Sequence, residues 1–157
     1  METIIRPNLD EEAEIRQSGP WIVILYNDDY HGFDEVILLN EWDQVAECTS
    51  ANIFAARGGE VWTPPLASGC LPGITRELLL SEVRAPGVRV TERVMTAEDL
   101  ESADEVFITS TTRDLLPVSR IGPHTVRNAG GAREALQTAF SRYVESYVAA
   151  RKSPVAR

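Results

Sequence analysis

The sequence predicts a mixed α+β fold. Short runs of β-branched and aromatic residues alternate with turn-forming residues over most of the chain, and three segments space their apolar residues as helices do. A length of 157 residues suits one ordinary domain, so any second module must be small or incomplete.

The first half of the chain is predicted to consist mainly of strands. A buried strand is expected at residues 21–26, where a continuous apolar run ends at the turn-forming residues 27–29. The other strands predicted in this half are Val36–Leu39, Val45–Cys48, Asn52–Ala56 and Glu60–Thr63. The last two form a hairpin, because Gly58 and Gly59 between them can adopt the positive φ angles that a tight turn requires.

The second half of the chain is predicted to mix helices and strands. The predicted helices are Thr75–Val83, Thr96–Leu100 and Ala132–Lys152, and the predicted strands are Val88–Val94, Glu105–Thr109 and Leu115–Ile121. Thr96 is expected to cap its helix, and Pro117 places its strand at an edge or a bulge, because proline cannot donate a ladder hydrogen bond. Trp42, Phe54, Trp62 and the aromatic side chains of the last helix are predicted to pack in the core.

Composition excludes several classes of protein. The formal net charge of -9 disfavours a nucleic-acid-binding surface, and no apolar run is long enough to cross a membrane. The amino terminus lacks the features of a secretory signal, so we expect a cytoplasmic protein. The two cysteines and two histidines have no metal-ligand spacing, and no metal site is expected.

Three segments carry acidic, glycine and hydroxyl residues in an ordered pattern. They are Glu47–Phe54 (ECTSANIF), Leu71–Arg76 (LPGITR) and Ala103–Thr112 (ADEVFITSTT), with Thr63-Pro64-Pro65 between the first two. Together they resemble class IV (fold-type IV) pyridoxal-phosphate aminotransferases, the family of branched-chain aminotransferases and aminodeoxychorismate lyase. The resemblance implies a partial large domain of such an enzyme, with pyridoxal 5'-phosphate as the cofactor.

The resemblance also implies roles for particular residues. The carboxylate of Glu47 would keep the ring nitrogen of the cofactor protonated, which the chemistry of this cofactor requires. Gly73, Ile74 and Thr75 would bind its phosphate at the start of a helix, where backbone N–H groups and the helix dipole favour an anion. Leu71 would contact the pyridine ring.

The hydroxyl-rich loop after the ADEVF segment is implied to bind both cofactor and substrate. Ser110 and Thr111 occupy the positions that contact the phosphate, and Thr111 with Thr112 occupies those that contact the substrate carboxylate. The substrates implied are an amino acid, branched-chain-like, and a 2-oxo acid. A plain turn role for these hydroxyls stays open at this point.

The sequence departs from the family pattern because it lacks the lysine that holds the cofactor covalently in this family. That lysine lies upstream of the glutamate, but the only lysine of this sequence is Lys152, and fourteen of the fifteen basic residues are arginine. No catalytic residue is therefore assigned, covalent cofactor attachment is not expected, and whether the chain is an enzyme stays open. The small domain and the upstream part of the large domain are also missing from the pattern.

The segment before the aminotransferase pattern has its own resemblance. Residues 20–36 (PWIVILYNDDYHGFDEV) are similar to the start of ClpS, the adaptor that delivers N-degron substrates to the Clp protease. In that family Asn27 and Asp28 would bind the free amino group of a target peptide, and Phe33 would border its side-chain pocket. The segment would then be a shortened adaptor.

The sequence thus predicts four regions and leaves three functional hypotheses. The regions are a disordered arm at 1–19, a shortened ClpS-like segment at 20–38, a class IV aminotransferase C-terminal region at 39–152 and a tail at 153–157. The first hypothesis is a class IV aminotransferase that is impaired by the missing lysine and is expected to form a homo-oligomer. The second is an adaptor with the Clp protease or an N-degron peptide as partner. The third is an inactive fusion remnant.

Overall fold

The computed structural model describes residues 35–112 and 114–151, together with the backbone of residues 21–23. The strands are β1 (Trp21–Val23), β2 (Ile37–Asn40), β3 (Val45–Cys48), β4 (Asn52–Arg57), β5 (Glu60–Thr63), β6 (Arg89–Glu92), β7 (Glu105–Ser110), β8 (Asp114–Pro117), β9 (Arg120–Ile121) and β10 (His124–Thr125). The helices are α1 (Ile74–Ser81), α2 (Ala97–Glu101) and α3 (Ala132–Arg151), and a 3-10 turn covers Leu66–Ser68. The fold is a mixture of helices and sheets, as the sequence predicts.

A five-stranded sheet in the order β6-β5-β4-β7-β8 forms the centre of the fold. Its neighbouring strands are antiparallel except β5 and β6, which are parallel and are connected through α1. Strands β4 and β7 pair from Asn52 opposite Thr109 to Ala56 opposite Glu105. Asn52 and Thr109 therefore lie side by side at one end of the sheet, on the same face.

Side chains alternate between the two faces of the sheet along each strand, and in β4 and β7 both faces are buried. On one face, fully buried Phe54 and Phe107 stack with ring centroids 5.0 Å apart, and α1 and α3 cover them through Leu79, Leu136 and other apolar side chains. On the other face, strand residues pack against Leu39 and other residues of β2, β3 and α2. The site described below lies where one end of this sheet meets the start of α1.

A smaller sheet in the order β1-β2-β3 precedes the central one. All its pairs are antiparallel, and Leu38 of β2 lies opposite Glu47 of β3. A tight turn then leads from β3 into β4, with the N–H of Cys48 donating to the carbonyl of Ala51 at 2.8 Å. This turn places Glu47 next to the end of the central sheet.

Helix α3 is tied to the sheet by a buried carboxylate. Glu105, which is only 3% exposed, accepts hydrogen bonds from the backbone N–H groups of Ala132 at 2.8 Å and Arg133 at 3.1 Å. These N–H groups lie in the first turn of the helix and have no partner within the helix itself. Glu105 therefore caps α3 from a neighbouring strand.

Most predicted elements are confirmed within the described residues. The glycine hairpin forms with φ angles of 57° at Gly58 and 86° at Gly59, and Thr96 caps α2 in a reciprocal capping box with Asp99. Strand β8 lies at an edge of the sheet and ends at Pro117, as predicted, but the predicted strand at residues 115–121 is divided into β8 and β9.

Two predictions of core packing are wrong. Trp42 is 64% exposed, because it lies in the turn between β2 and β3, where hydrogen bonds to Asn40 hold the backbone away from the core. On α3, Phe140 is buried but Tyr147 is 46% exposed, since only the first part of the long helix packs on the sheet. Phe54 is buried as predicted, and half-buried Trp62 packs against the core under the guanidinium of Arg93.

Candidate functional site

A cavity of about 250 Å³ opens where β3, β4, β7 and α1 meet. It is lined by residues 47–52, by Leu71, Gly73, Ile74 and Thr75, and by residues 109–111. These residues come from all three sequence segments that carry the family pattern. The fold therefore brings together groups that are more than sixty residues apart in the chain.

The half-buried carboxylate of Glu47 is fixed on one side of this cavity. Its Oε2 accepts a hydrogen bond from the backbone N–H of Leu71 at 2.9 Å and lies 3.4 Å from the amide Nδ2 of Asn52. Among the described residues, no hydrogen bond is made to its second oxygen, Oε1. One carboxylate oxygen thus holds the side chain in place while the other remains for a ligand.

Asn52 connects this carboxylate to the loop before α1. Its Nδ2 also donates to the carbonyl of Leu71 at 2.9 Å, and its side chain is buried. A β-carbon built at Gly73 would lie 2.1 Å from the Oδ1 atom of Asn52. Glycine is therefore favoured at this position because the Asn52 side chain comes so close to it, and not because of its φ of -66°, which any residue can adopt. Asn52 lies within the first motif, but no pattern in the sequence indicates these contacts.

The amino-terminal end of α1 opens into the same cavity. Gly73 is the N-cap residue and makes no side-chain capping hydrogen bond, and no other side chain among the described residues bonds the first N–H groups of the helix. Thr75, in the first turn, adds a hydroxyl-bearing side chain to the lining. Free N–H groups and the positive end of the helix dipole together form a site that favours an anion.

The end of β7 adds further hydroxyl groups. Ser110 and Thr111 line the cavity, and the hydroxyl of Ser110 lies 3.4 Å from that of Thr112. Thr109 also lines the cavity, and its buried Oγ1 has no hydrogen-bonding partner among the described residues. No role is predicted for Thr109 from the sequence, because nothing in the strand pattern distinguishes it from an ordinary β-branched strand residue.

Cys48 lines the cavity without being a reactive thiol. Burial raises the pKa of Cys48, and the nearby negative charges of Glu35 and Glu47 add to this effect, so that the pKa is about 12. Burial also raises the pKa of Cys70, although the charge of Arg76 acts in the opposite direction. Both thiols are therefore protonated at neutral pH and poor nucleophiles.

All seven residues predicted to bind the cofactor lie around one cavity. They are Glu47, Leu71, Gly73, Ile74, Thr75, Ser110 and Thr111. Thr112, predicted to contact substrate, is exposed and does not line this cavity, although it neighbours Ser110. Asn27, Asp28 and Phe33 of the adaptor hypothesis, and Lys152, lie outside the described residues.

The described part of the chain offers neither a metal site nor a membrane-spanning helix. No group of three or more histidine, cysteine or acidic side chains there is placed to hold a metal ion. None of the described helices is long and apolar enough to span a membrane.

Several known proteins are similar to this chain in sequence. The sequence profile of the family described as amino-transferase class IV matches residues 29–121, and so includes residues 29–38, which were predicted to belong to a ClpS-like segment. The putative branched-chain-amino-acid aminotransferase of Methanocaldococcus jannaschii is 38% identical over 99 residues, which are 63% of this chain and 34% of that protein. This chain thus spans about a third of the length of the curated relatives that it matches.

Solved structures of similar sequence also share the fold. The branched-chain aminotransferase of Thermoproteus uzoniensis with norvaline has a TM-score of 0.67 at 35% identity, covering 73% of this chain and 38% of that one. The branched-chain amino acid aminotransferase of Thermobaculum terrenum in its PLP-form has a TM-score of 0.67 at 30% identity, with the same coverages of 73% and 38%. Since the family profile also matches more than half of its residues, this chain belongs to the class IV aminotransferase family.

Proposed function

We propose that the cavity binds pyridoxal 5'-phosphate and that the chain carries the cofactor-binding part of an aminotransferase. The observation that carries this proposal is the grouping of a fixed carboxylate, a free helix terminus and several hydroxyl-bearing side chains around one cavity. A phosphorylated pyridine needs these same groups, a carboxylate for its ring nitrogen and N–H and O–H donors for its phosphate. The residues present therefore fit the cofactor.

Glu47 has the role of holding a proton on the ring nitrogen of the cofactor. When bound, pyridoxal phosphate supplies a pyridinium ring that takes up the electron pair left on the substrate α-carbon. Glu47 suits this role because the Leu71 N–H and the Asn52 amide hold Oε2 in place, so that Oε1 is available to accept from the ring N–H. The exposed side chain of Leu71, at 67%, is available to cover the ring.

The phosphate of the cofactor would bind at the start of α1. The unsatisfied N–H groups that follow Gly73 and the side chains of Thr75, Ser110 and Thr111 supply the donors. Hydrogen bonds to a charged group contribute roughly 1.5–3 kcal/mol each, so a few of them give measurable affinity even without a covalent bond. By the family resemblance, Thr111 and Thr112 would bind the substrate carboxylate.

The cofactor is proposed to bind without a covalent bond to the cavity residues. Lys152 is the only lysine in the sequence, and no lysine is present among the residues that line the cavity. We therefore infer that this chain alone transaminates poorly and needs an amine from a partner or from solution. The substrate class proposed, a branched-chain-like amino acid with a 2-oxo acid, rests on the names of the relatives.

Titration with pyridoxamine 5'-phosphate tests the proposed function. This form of the cofactor has no aldehyde, so it reports non-covalent binding alone. We expect one molecule to bind per chain by calorimetry, with affinity about tenfold lower in Glu47→Gln, since roughly 1.4 kcal/mol corresponds to a factor of ten. Glu41→Gln, an exposed change in the turn between β2 and β3, should bind like the wild type.

A second experiment separates covalent from non-covalent binding. Borohydride reduction with pyridoxal phosphate labels only primary amines, which in this chain are Lys152 and the terminal amino group. If the cofactor binds in the cavity without a covalent bond, mass spectrometry of the digested chain should find equal labelling of these amines in the wild type and in Glu47→Gln. A wild-type chain that binds no pyridoxamine 5'-phosphate would refute the proposal and leave the fusion-remnant hypothesis.

The adaptor hypothesis stays a prediction for residues outside the described part of the chain. It requires binding of peptides with a bulky hydrophobic first residue, and that binding must disappear in Asp28→Ala. The expected homo-oligomer also stays a prediction, which light scattering of the purified chain tests.

A further inference from the structure

The end of β7 holds a buried hydroxyl group that no other part of the described structure uses. Thr109 is 2% exposed, and its Oγ1 has no hydrogen-bonding partner among the described residues. A buried polar atom without a partner is unfavourable, and most such atoms in folded proteins are satisfied. Thr109 therefore needs a reason other than packing.

Two other buried polar atoms of the described residues have no partner, in Ser68 and Arg76, and neither residue lines the cavity. Thr109 differs from them because it lines the cavity. It pairs with Asn52 across β4 and β7, so its side chain stands on the same face as the amide that fixes the loop before α1. The hydroxyl thus lies next to the helix terminus where an anion is favoured.

Resting on the proposed function, we propose that Thr109 is a further ligand-binding residue whose hydroxyl donates to the phosphate of the bound cofactor. A rotation about χ1, between staggered rotamers, turns the hydroxyl toward a ligand that fills the cavity. The ligand oxygen then supplies the partner that the free chain lacks. Thr109 would contribute to the affinity for the cofactor and would take no part in the chemical step.

A second threonine of the same sheet provides a matched control. Thr63 is fully buried like Thr109, but its Oγ1 donates to the carbonyl of Ile53 at 2.9 Å. Replacing either threonine with valine keeps the β-branched shape and removes only the hydroxyl. Thr63→Val should lower the melting temperature without changing ligand affinity, whereas Thr109→Val should leave the melting temperature unchanged or raise it, because an unsatisfied group is removed.

This inference is tested by comparing the affinities of the chain for pyridoxamine 5'-phosphate and for pyridoxamine, which lacks the phosphate. We expect Thr109→Val to weaken binding of the phosphorylated ligand about tenfold, with no effect on pyridoxamine, and Thr109→Ser to retain most of the affinity. Equal affinity of the wild type and Thr109→Val for the phosphorylated ligand overturns the inference while leaving the proposed function intact. An equal loss for both ligands also overturns it, because the hydroxyl would then not act at the phosphate. A wild-type chain that binds neither ligand overturns both proposals.

Discussion

Replacing Glu105 with glutamine should loosen helix α3 from the sheet. The carboxylate accepts from the N–H groups of Ala132 and Arg133, and the buried site leaves no water to replace it. Glutamine keeps one acceptor oxygen and turns an amide NH₂ group toward the other N–H. One helix N–H then loses its partner, and a donor faces a donor.

The size of the effect follows from these contacts. A hydrogen bond to a charged group contributes roughly 1.5–3 kcal/mol, and a negative charge at a helix amino terminus adds about 0.3–1 kcal/mol. We therefore expect Glu105→Gln to lower the free energy of unfolding by about 2–4 kcal/mol. For a domain of this size that corresponds to a fall in melting temperature of roughly 5–15 °C.

Urea denaturation followed by circular dichroism measures this loss. The matched control is Glu134→Gln, because Glu134 lies in the first turn of the same helix and is exposed. Its substitution should change the free energy of unfolding by less than about 1 kcal/mol. If Glu105→Gln proves as stable as the control, the carboxylate does not cap α3 and the reasoning is refuted.

Three other predictions follow from close contacts. Gly73→Ala should push Asn52 aside and weaken binding of pyridoxamine 5'-phosphate at least tenfold. Adding Asn52→Ala to this variant should produce little further loss of affinity, because both substitutions break the same contact. Fully additive losses of affinity, measured by calorimetry, would contradict this. Phe54→Ala should lower the free energy of unfolding in urea by about 3–5 kcal/mol, since it removes a fully buried ring that stacks on Phe107. A loss below about 1 kcal/mol would contradict this and show that the surrounding core closes over the cavity left by the ring. The pKa of Cys48 is raised from 9.0 in the unfolded chain to about 12 in the fold, so its contribution to stability is complete below pH 9 and is lost as pH rises through about 12. The melting temperature of Cys48→Ala should therefore fall less steeply above pH 9 than that of the wild type. Equal slopes for the two proteins would contradict this prediction.

The local elements were predictable because their signals lie within a few residues. The glycine hairpin needs only Gly58 and Gly59, and the α2 cap needs only Thr96 and Asp99. The candidate cofactor residues were predictable from the family pattern, and the fold gathers all seven around one cavity. The exposed position of Trp42 was not predictable from its hydrophobicity, because the turn geometry set by Asn40 decides it.

Contacts between distant segments could not be predicted in the same way. Glu105 meets residues 27 and 28 positions further along the chain, and Asn52 meets the carbonyl of Leu71 across 19 positions. Thr109 reaches the cavity only through its pairing with Asn52. Such contacts depend on sheet register, which the sequence of one strand does not specify.

A crystal structure of the chain with pyridoxamine 5'-phosphate would show directly whether the cavity binds the cofactor. We expect electron density for one ligand in the cavity, with the ring nitrogen within about 2.7–3.2 Å of Glu47 Oε1 and the phosphate against the first N–H groups of α1. Density in the opposite orientation, or a ligand bound elsewhere on the chain, would contradict it.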